Sequence, residues 1–579
     1  MPTPAALLQA AFHDAIRAVC GVDADPMIGP AQNEKFGDYQ ANVAMSLAKQ
    51  LAAAGQKTNP RQLGQAIRDA VAAKPPAVDG VPVIDKLEVA GPGFINIHLA
   101  NAFIDHALRQ ARGNQRLAID VTATPLKTVV DYSGPNVAKE MHVGHLRSTI
   151  IGDAVSRVLE FRGDPVIRQN HIGDWGTQFG MLIAYLAEGG SAAEESISDL
   201  ETFYVAAKKR FDSDPAFAAR ARETVVRLQA GNPAERKLWQ TIVEKSRLQF
   251  EAQYKRLNVK LTPNDERAES FYNPMLADVV EELLQKQVAK PSEGAVAVFV
   301  KGFENPLLIR KSDGGYLYAT TDLAAIKYRV QNLGAHRIVY VHDSRQAQHF
   351  AQVFATATEA GWVKNVELKY VPFGTILGTD GKPLRTREGG TIKLRLLLDE
   401  ALKRAAAVIE QKNPDLPSDR RADVARAVGI GAVKYFDLNK DRTSDYVFSW
   451  DHMLSLDGNS GPYLMYAYAR VCGIFRKWGG DAPPPQTPIS LNEPAESALA
   501  KHLLRLGDVI DAVATELRPH LLCTYLYEIA TRFSVFFETC PVLKAEPAIR
   551  AGRLALCDLT ARTLACGLDL LGIEHPQEI

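Results

Sequence analysis

Six cysteines (Cys20, Cys472, Cys523, Cys540, Cys557 and Cys566) are spread over 579 residues, with no Cys-x-x-Cys pair and no accompanying His-x-x-x-His. Neither a disulfide framework nor a zinc site is indicated. Long apolar runs are missing as well. None approaches the roughly 20 residues needed to cross a bilayer, and Met1 to Asp23 has neither the basic start nor the apolar block of a signal peptide. The expected location is the cytoplasm, with no membrane partner. Net charge is the third absence: 67 Lys plus Arg balance 67 Asp plus Glu, and the last 128 residues count 14 acidic against 11 basic. Overall charge does not announce a nucleic-acid partner, DNA is not expected, and any RNA surface has to be a local patch.

What is present is an ordinary globular composition, 46% hydrophobic and 23% charged. The chain is too long for one core, so two to four domains are expected. Its most informative stretch is Lys139 to Ser148, which contains His142-Val-Gly-His145. The β-branched run Lys127 to Tyr132 predicts a strand, Ser133-Gly-Pro-Asn136 breaks it, and apolar residues then recur helically at Leu146, Ile150, Ala154, Val155 and Val158. Free backbone N–H groups and the helix dipole favour a polyphosphate at such a turn. The two imidazoles can reach its oxygens while a nucleotide, expected to be ATP, backs against Gly144. Alone, the motif also admits a lesser reading, two histidines capping a helix around a packing glycine.

Residues 1–112 read as an α+β unit, with Phe36 to Asn42 opening an apolar helix and Gly91 to Leu99 reading as a turn feeding a strand. Packing alone would explain that unit. From 125 to 452, strand-like runs (Val166 to Gln169, Arg337 to Val341, Val366 to Val371) alternate with helices, which predicts a Rossmann-type parallel sheet whose ligands lie beyond the carboxyl ends of its strands. Between about 190 and 300 the pattern turns helical and charged, an insertion whose charges suit a solvated face. Residues 453–579 read as helical throughout: Leu499, Leu503, Leu506, Ile510 and Val513 predict one helix, and Leu522, Leu526, Ile529, Phe533 and Phe537 the next, with Pro519 in its first turn. The fold class is thus α/β, flanked by an N-terminal α+β domain and a C-terminal all-α domain.

The segment from Asp131 to Gln178, with Ser133-Gly-Pro-Asn-Val-Ala-Lys-Glu-Met-His-Val-Gly-His-Leu-Arg-Ser148 and Asn170-His-Ile-Gly-Asp-Trp-Gly-Thr-Gln178, resembles the signature region of class I aminoacyl-tRNA synthetases, and among them the arginyl-tRNA synthetases. Phe36 to Asn42 and Gly91 to Leu99 resemble that family's extra N-terminal domain, which contacts the tRNA elbow. Tyr463 to Arg470 and Glu516 to Leu522 resemble its helical anticodon-binding domain, with Thr515-Glu-Leu-Arg518 where Asp-Ala-Leu-Arg is frequent.

That resemblance implies a substrate set of ATP, L-arginine and tRNA(Arg), with Mg²⁺ on the nucleotide, a monomeric enzyme, and activation that needs bound tRNA. In-line attack on an α-phosphorus needs positioned reactants and neutralised charge rather than a protein nucleophile, so His142, His145 and basic side chains come first. The family's Lys-Met-Ser-Lys-Ser loop corresponds to Gly381 to Arg387, where Lys382 fits the first lysine but Arg385 stands at the second. Lys139, three residues before His142, occupies the place of a lysine thought to compensate; by itself it would read as a surface residue. Tyr318 and Asp322, at i and i+4, match the pair that grips the substrate guanidinium, although by spacing alone they suit a packed tyrosine and a helix cap. Asp131 matches another acidic contact, and Asn136 and Gln346 match residues holding the α-amino and carboxylate groups. Two other classes compare less well. A small-molecule nucleotidyltransferase has no use for the helical tail, and an inactive tRNA-binding relative should have lost the histidines or pocket acids.

Overall fold

The computed structural model describes residues 1–196, 200–385, 391–489 and 491–579. At its centre lies a four-stranded, all-parallel sheet in the order Glu367–Phe373, Arg337–Asp343, Thr128–Asp131, Val166–Gln169. This is the doubly wound arrangement the alternation predicts. The chain leaves Thr128–Asp131 on one side to form Val166–Gln169 and later returns on the other as Arg337–Asp343. The strand order therefore reverses at the carboxyl end of Thr128–Asp131, and a crevice opens there.

The helix Val143–Arg162 follows that strand. All five predicted apolar positions, Leu146, Ile150, Ala154, Val155 and Val158, are buried, and so are residues between them, because the helix is enclosed on every side. It packs on Arg337–Asp343 and against the helices Leu394–Lys412, Ser418–Leu438 and Leu506–Glu516. Each large apolar side chain so buried contributes about 1.5–3 kcal/mol. Rigid enclosure of this helix fixes its N-terminal turn.

The N-terminal unit pairs the strands Ile28–Pro30, Tyr39–Ala41, Phe94–Leu99 and Ile84–Ala90 into an antiparallel sheet beneath Pro4–Cys20, Val43–Ala53 and Pro60–Ala73. Beyond the central strands, four helices (Gln178–Ser196, Leu200–Ser213, Pro215–Gln229 and Pro233–Arg256) form a separate layer with its own core around Phe179, Phe203 and Phe217. A three-stranded antiparallel sheet, Ala289–Ser292, Ala295–Val298 and Leu307–Arg310, follows at the end of the expected helical insertion. Helical periodicity did not forecast it, because strands this short carry little period-2 signal.

The C-terminal part is helical as expected, with two local corrections. Leu499 to Val513 do not lie on one helix: Pro494–Leu503 stops and Leu506–Glu516 begins anew. The hydroxyl of buried Tyr525 donates to the Leu503 carbonyl at 3.2 Å, taking an acceptor that a continuing helix would have used. In His520–Thr539, Phe536 is buried and the expected core residue Phe537 is 39% exposed, since after Phe533 the helical period favours the nearer position.

Candidate active site

His142 caps the helix Val143–Arg162. The Gly144 N–H donates to His142 Nδ1 at 3.0 Å, and the His142 N–H donates to His145 Nδ1 at 3.1 Å. With both Nδ1 atoms accepting, each neutral imidazole carries its proton on Nε2. Burial pushes His145 down to about 3, helped by His142 and Lys139; burial, Lys139 and Arg345 also lower His142. Near neutral pH the pair therefore offers two uncharged Nε2–H donors from rings whose centroids lie 3.9 Å apart. The backbone donors expected to meet a phosphate are already used: Val143 N–H bonds the Ile392 carbonyl and His145 N–H the His142 carbonyl. Imidazole edges, rather than open main-chain amides, are the donors this turn leaves unused.

Of the predicted cations, Lys139 stands at this turn, whereas Lys382 and Arg385 line a separate groove. Lys139 is exposed, influences both imidazoles and lies 5.0 Å from the ring centroid of Tyr204 on Leu200–Ser213. Lys382 sits in a turn closed by Gly378 N–H to the Lys382 carbonyl at 2.8 Å, with Asp380 accepting from the Lys382 N–H at 3.1 Å. Lys382 and Arg385 line an open groove of about 1120 Å³ together with Arg404, Trp450, Asp451 and His452. Thr386 to Gly390, the rest of the motif, lie outside the described residues. After them the chain returns to the histidine turn, where Leu394 N–H bonds the Met141 carbonyl and Lys393 bridges to His142.

A second, acidic region lies at the strand ends. Tyr318 and Asp322 do share a helix, Tyr318–Gln331, with Tyr318 at its first position and 69% exposed. His349 Nε2 lies 2.6 Å from Asp322. Asp131 is buried, and its Oδ2 accepts from Arg329 at 2.7 Å, so the nearest guanidinium belongs to the chain itself. Burial alone would raise the Asp131 carboxyl; Arg329, then His342, hold it well below the usual carboxylate range. Its Oδ1 has no hydrogen-bond partner among the described residues and faces His342 Nε2 at 3.8 Å. Asn136 is exposed and bridges to Gly173, where a Cβ would come within 2.3 Å of the Asn136 amide oxygen; only glycine admits that approach. Gln346 is exposed in the turn Ser344–Gln346 that ends Arg337–Asp343.

A family model for tRNA synthetases class I (R), catalytic domain, matches residues 108–450, the arginyl tRNA synthetase N terminal domain matches 6–99, and the DALR anticodon binding domain matches 464–579. The chain belongs to the arginyl-tRNA synthetase family. It is 52% identical to the arginine–tRNA ligase of Cellvibrio japonicus, with 97% of each chain covered, and 50% identical to that of Pseudoalteromonas translucida, with 96% of each covered. Its structure superposes on the arginyl-tRNA synthetase of Plasmodium falciparum with a TM-score of 0.88 at 30% identity, covering 100% of both chains. The Thermus thermophilus arginyl-tRNA synthetase follows at 0.80 and 26%, covering 99% of both.

Within this synthetase fold, the structure gathers His142, His145 and Lys139 at one helix start, while Asp131 and Asp322 both act on half-buried His171 and buried Tyr340. Three neighbours escaped sequence reasoning. Arg345 stands close enough to lower His142 and is held by Asp343 at 2.7 Å. Arg329 anchors Asp131. Glu269, at the start of the helix Glu269–Tyr272, is pushed up to about 8 by burial, Asp174 and Asp322, against a hydrogen bond from the Trp175 N–H. Arg345 and Arg329 each had a signal, Arg345 its place beside Gln346 and Arg329 its i+7 spacing from Asp322 on one helix; Glu269, 53 residues before Asp322, comes near it only through the fold. No group of three or more His, Cys, Asp or Glu is placed to hold a metal among the described residues.

Proposed function

We propose that this synthetase activates L-arginine with ATP at the histidine turn and transfers it to the terminal adenosine of tRNA(Arg). The observation carrying this reading is the pair of neutral Nε2–H donors at the helix start, acted on by Lys139 and Arg345, in a fold that also brings Asp322 near Glu269. An arginine carboxylate oxygen attacks the α-phosphorus, the bond to the bridging oxygen breaks, and pyrophosphate leaves with that electron pair. His142, His145, Lys139 and Lys382 hold the phosphate oxygens where charge grows. Mg²⁺, when it accompanies the nucleotide, neutralises part of the pyrophosphate charge; bound chiefly by phosphates and water, it fits a site with few protein carboxylates of its own. The adenosine hydroxyl then attacks the arginyl carbonyl and AMP departs.

For selection, Tyr318, Asp322 and Glu269 grip the guanidinium, whose five fixed donors suit several acceptors. Asp131, neutralised by Arg329, is the further acidic contact for the amino acid; Asn136 and Gln346 hold the substrate's α-amino and carboxylate groups. The working division is 1–112 for the tRNA elbow, 125–452 for catalysis and 453–579 for the anticodon. A monomer is the proposed working unit. Among the described residues no helix is long and apolar enough to cross a membrane, and the cytoplasm is the assigned location. Pyrophosphate exchange across the twenty amino acids, with and without total tRNA, tests the whole reading. Exchange is expected with arginine only, and only when tRNA is present; exchange with another amino acid would refute the pocket assignment, and robust exchange without tRNA would refute the tRNA requirement.

A further inference from the structure

Arg147 lies two residues beyond His145 and is fully buried, yet the reaction as described does not use it. Its Nε stands 3.0 Å from Asp437 Oδ2 near the end of Ser418–Leu438, and its Nη1 donates to the Ser444 carbonyl at 3.2 Å. The guanidinium carbon is 5.1 Å from the ring centroid of Tyr446 and 5.9 Å from that of Phe373. Tyr446 donates its hydroxyl to the same Asp437 oxygen at 2.7 Å. A buried ion pair is poor evidence of stabilisation, because well-packed apolar groups often serve as well. This one joins two parts of the active site.

Tyr446 and Val447 pair in parallel with Ile376 and Leu377, the residues from which the Lys382 loop departs. Gly374, just before them, approaches Ser444 so closely that a Cβ would meet the Ser444 carbonyl oxygen at 2.7 Å. The far end of the loop is fastened by backbone hydrogen bonds to Met141 and Val143. Both ends are thus referred to the histidine helix, one through main-chain pairing and the other through the Arg147 side chain. We propose that Arg147, acting through Asp437, Ser444 and Tyr446, is a positioning residue that sets the register of the Lys382 loop against His142 and His145. The assignment rests on Lys382 serving the ATP phosphates. The Arg147–Asp437 contact is an ion pair without hydrogen-bond geometry: Arg147 Nε and Nη2 and Asp437 Oδ1 have no hydrogen-bond partner among the described residues.

The test uses the full chain with tRNA and arginine. Arg147→Lys keeps the charge but loses the fork, and Tyr446→Phe removes only the hydroxyl held by Asp437. Each is assayed for adenylate formation alone and combined with Lys382→Ala, with arginine binding and thermal unfolding followed on the same samples. Arg147→Lys is expected to lower the maximal rate by on the order of 10- to 100-fold, as for a misplacement of about 1 Å, with the arginine Kd moved by less than about twofold. Tyr446→Phe should do the same more weakly. Each should reduce the rate by a much smaller factor once Lys382 is alanine, because the principal group being positioned is gone. Losses that multiply with Lys382→Ala would overturn the proposal, as would a loss of arginine affinity equal to the loss of rate. If Arg147→Lys does not fold, Tyr446→Phe decides by the same criteria. Undiminished activation by Lys382→Ala would instead refute the assignment of the loop to ATP, which separates the two failures.

Discussion

With the Glu269 carboxyl pushed up to about 8 by burial, Asp174 and Asp322, it is mostly protonated at pH 7. A guanidinium placed between Glu269 and Asp322 reverses the balance by putting a fixed positive charge beside both carboxylates. Arginine binding near pH 7 should then release close to one proton. The sign follows directly: this group has to lose its proton before it can pair, so the cost is present below about pH 8 and vanishes above it. Each pH unit below that value is worth about 1.36 kcal/mol, so the apparent affinity for arginine should rise roughly tenfold per unit between pH 6 and 8 and then level off. Titration calorimetry in buffers of different ionisation enthalpy reads the released proton directly. Glu269→Gln should bind arginine more weakly at pH 8, without proton release and with a flat profile. A wild-type profile that is already flat, with no proton released, would show that Glu269 does not face the guanidinium.

Other outcomes follow from the same geometry. Lys139→Ala should lower activation at saturating ATP more than Arg385→Ala does, because Lys139 stands beside both imidazoles. One such charge-assisted contact is worth roughly 2.7–4 kcal/mol, about a hundred- to a thousand-fold, and normal turnover by Lys139→Ala would return it to the surface. Asp322→Asn keeps shape but removes charge; it should cost arginine affinity roughly 3–5 kcal/mol and narrow the preference over uncharged citrulline, whereas an unchanged preference would make Asp322 a partner of His349 only. Lys434, buried and donating to the Leu257 and Gly572 carbonyls at 2.6 Å each, is depressed to about 7 by burial. The unfolded chain therefore holds more protons than the fold between pH 7 and about 10.5, and stability should rise with pH across that window. Between pH 7.5 and 9.5 the gain attributable to this group is about 2.7 kcal/mol, and urea unfolding of Lys434→Met should lose that pH dependence.

The strand, turn and helix around His142 were legible in the sequence because each is locally encoded: a β-branched run, a Gly-Pro break, then apolar residues at helical spacing. The parallel sheet followed from alternation, and Tyr318 and Asp322 shared a helix as i, i+4 spacing required. Tertiary structure alone decided how the groups are used. It spent the backbone amides of the histidine turn on Ile392 and on the imidazoles, leaving Nε2–H as the donor. Asp131, read as an acid for substrate, became partner to Arg329, 198 residues away. Glu269 reached the pocket, and Arg147 the base of the Lys382 loop, only when distant elements packed. Local pattern determines which elements form because propensity and periodicity act over a few residues. Protonation and partnership depend on burial and on neighbouring charges that long-range packing supplies.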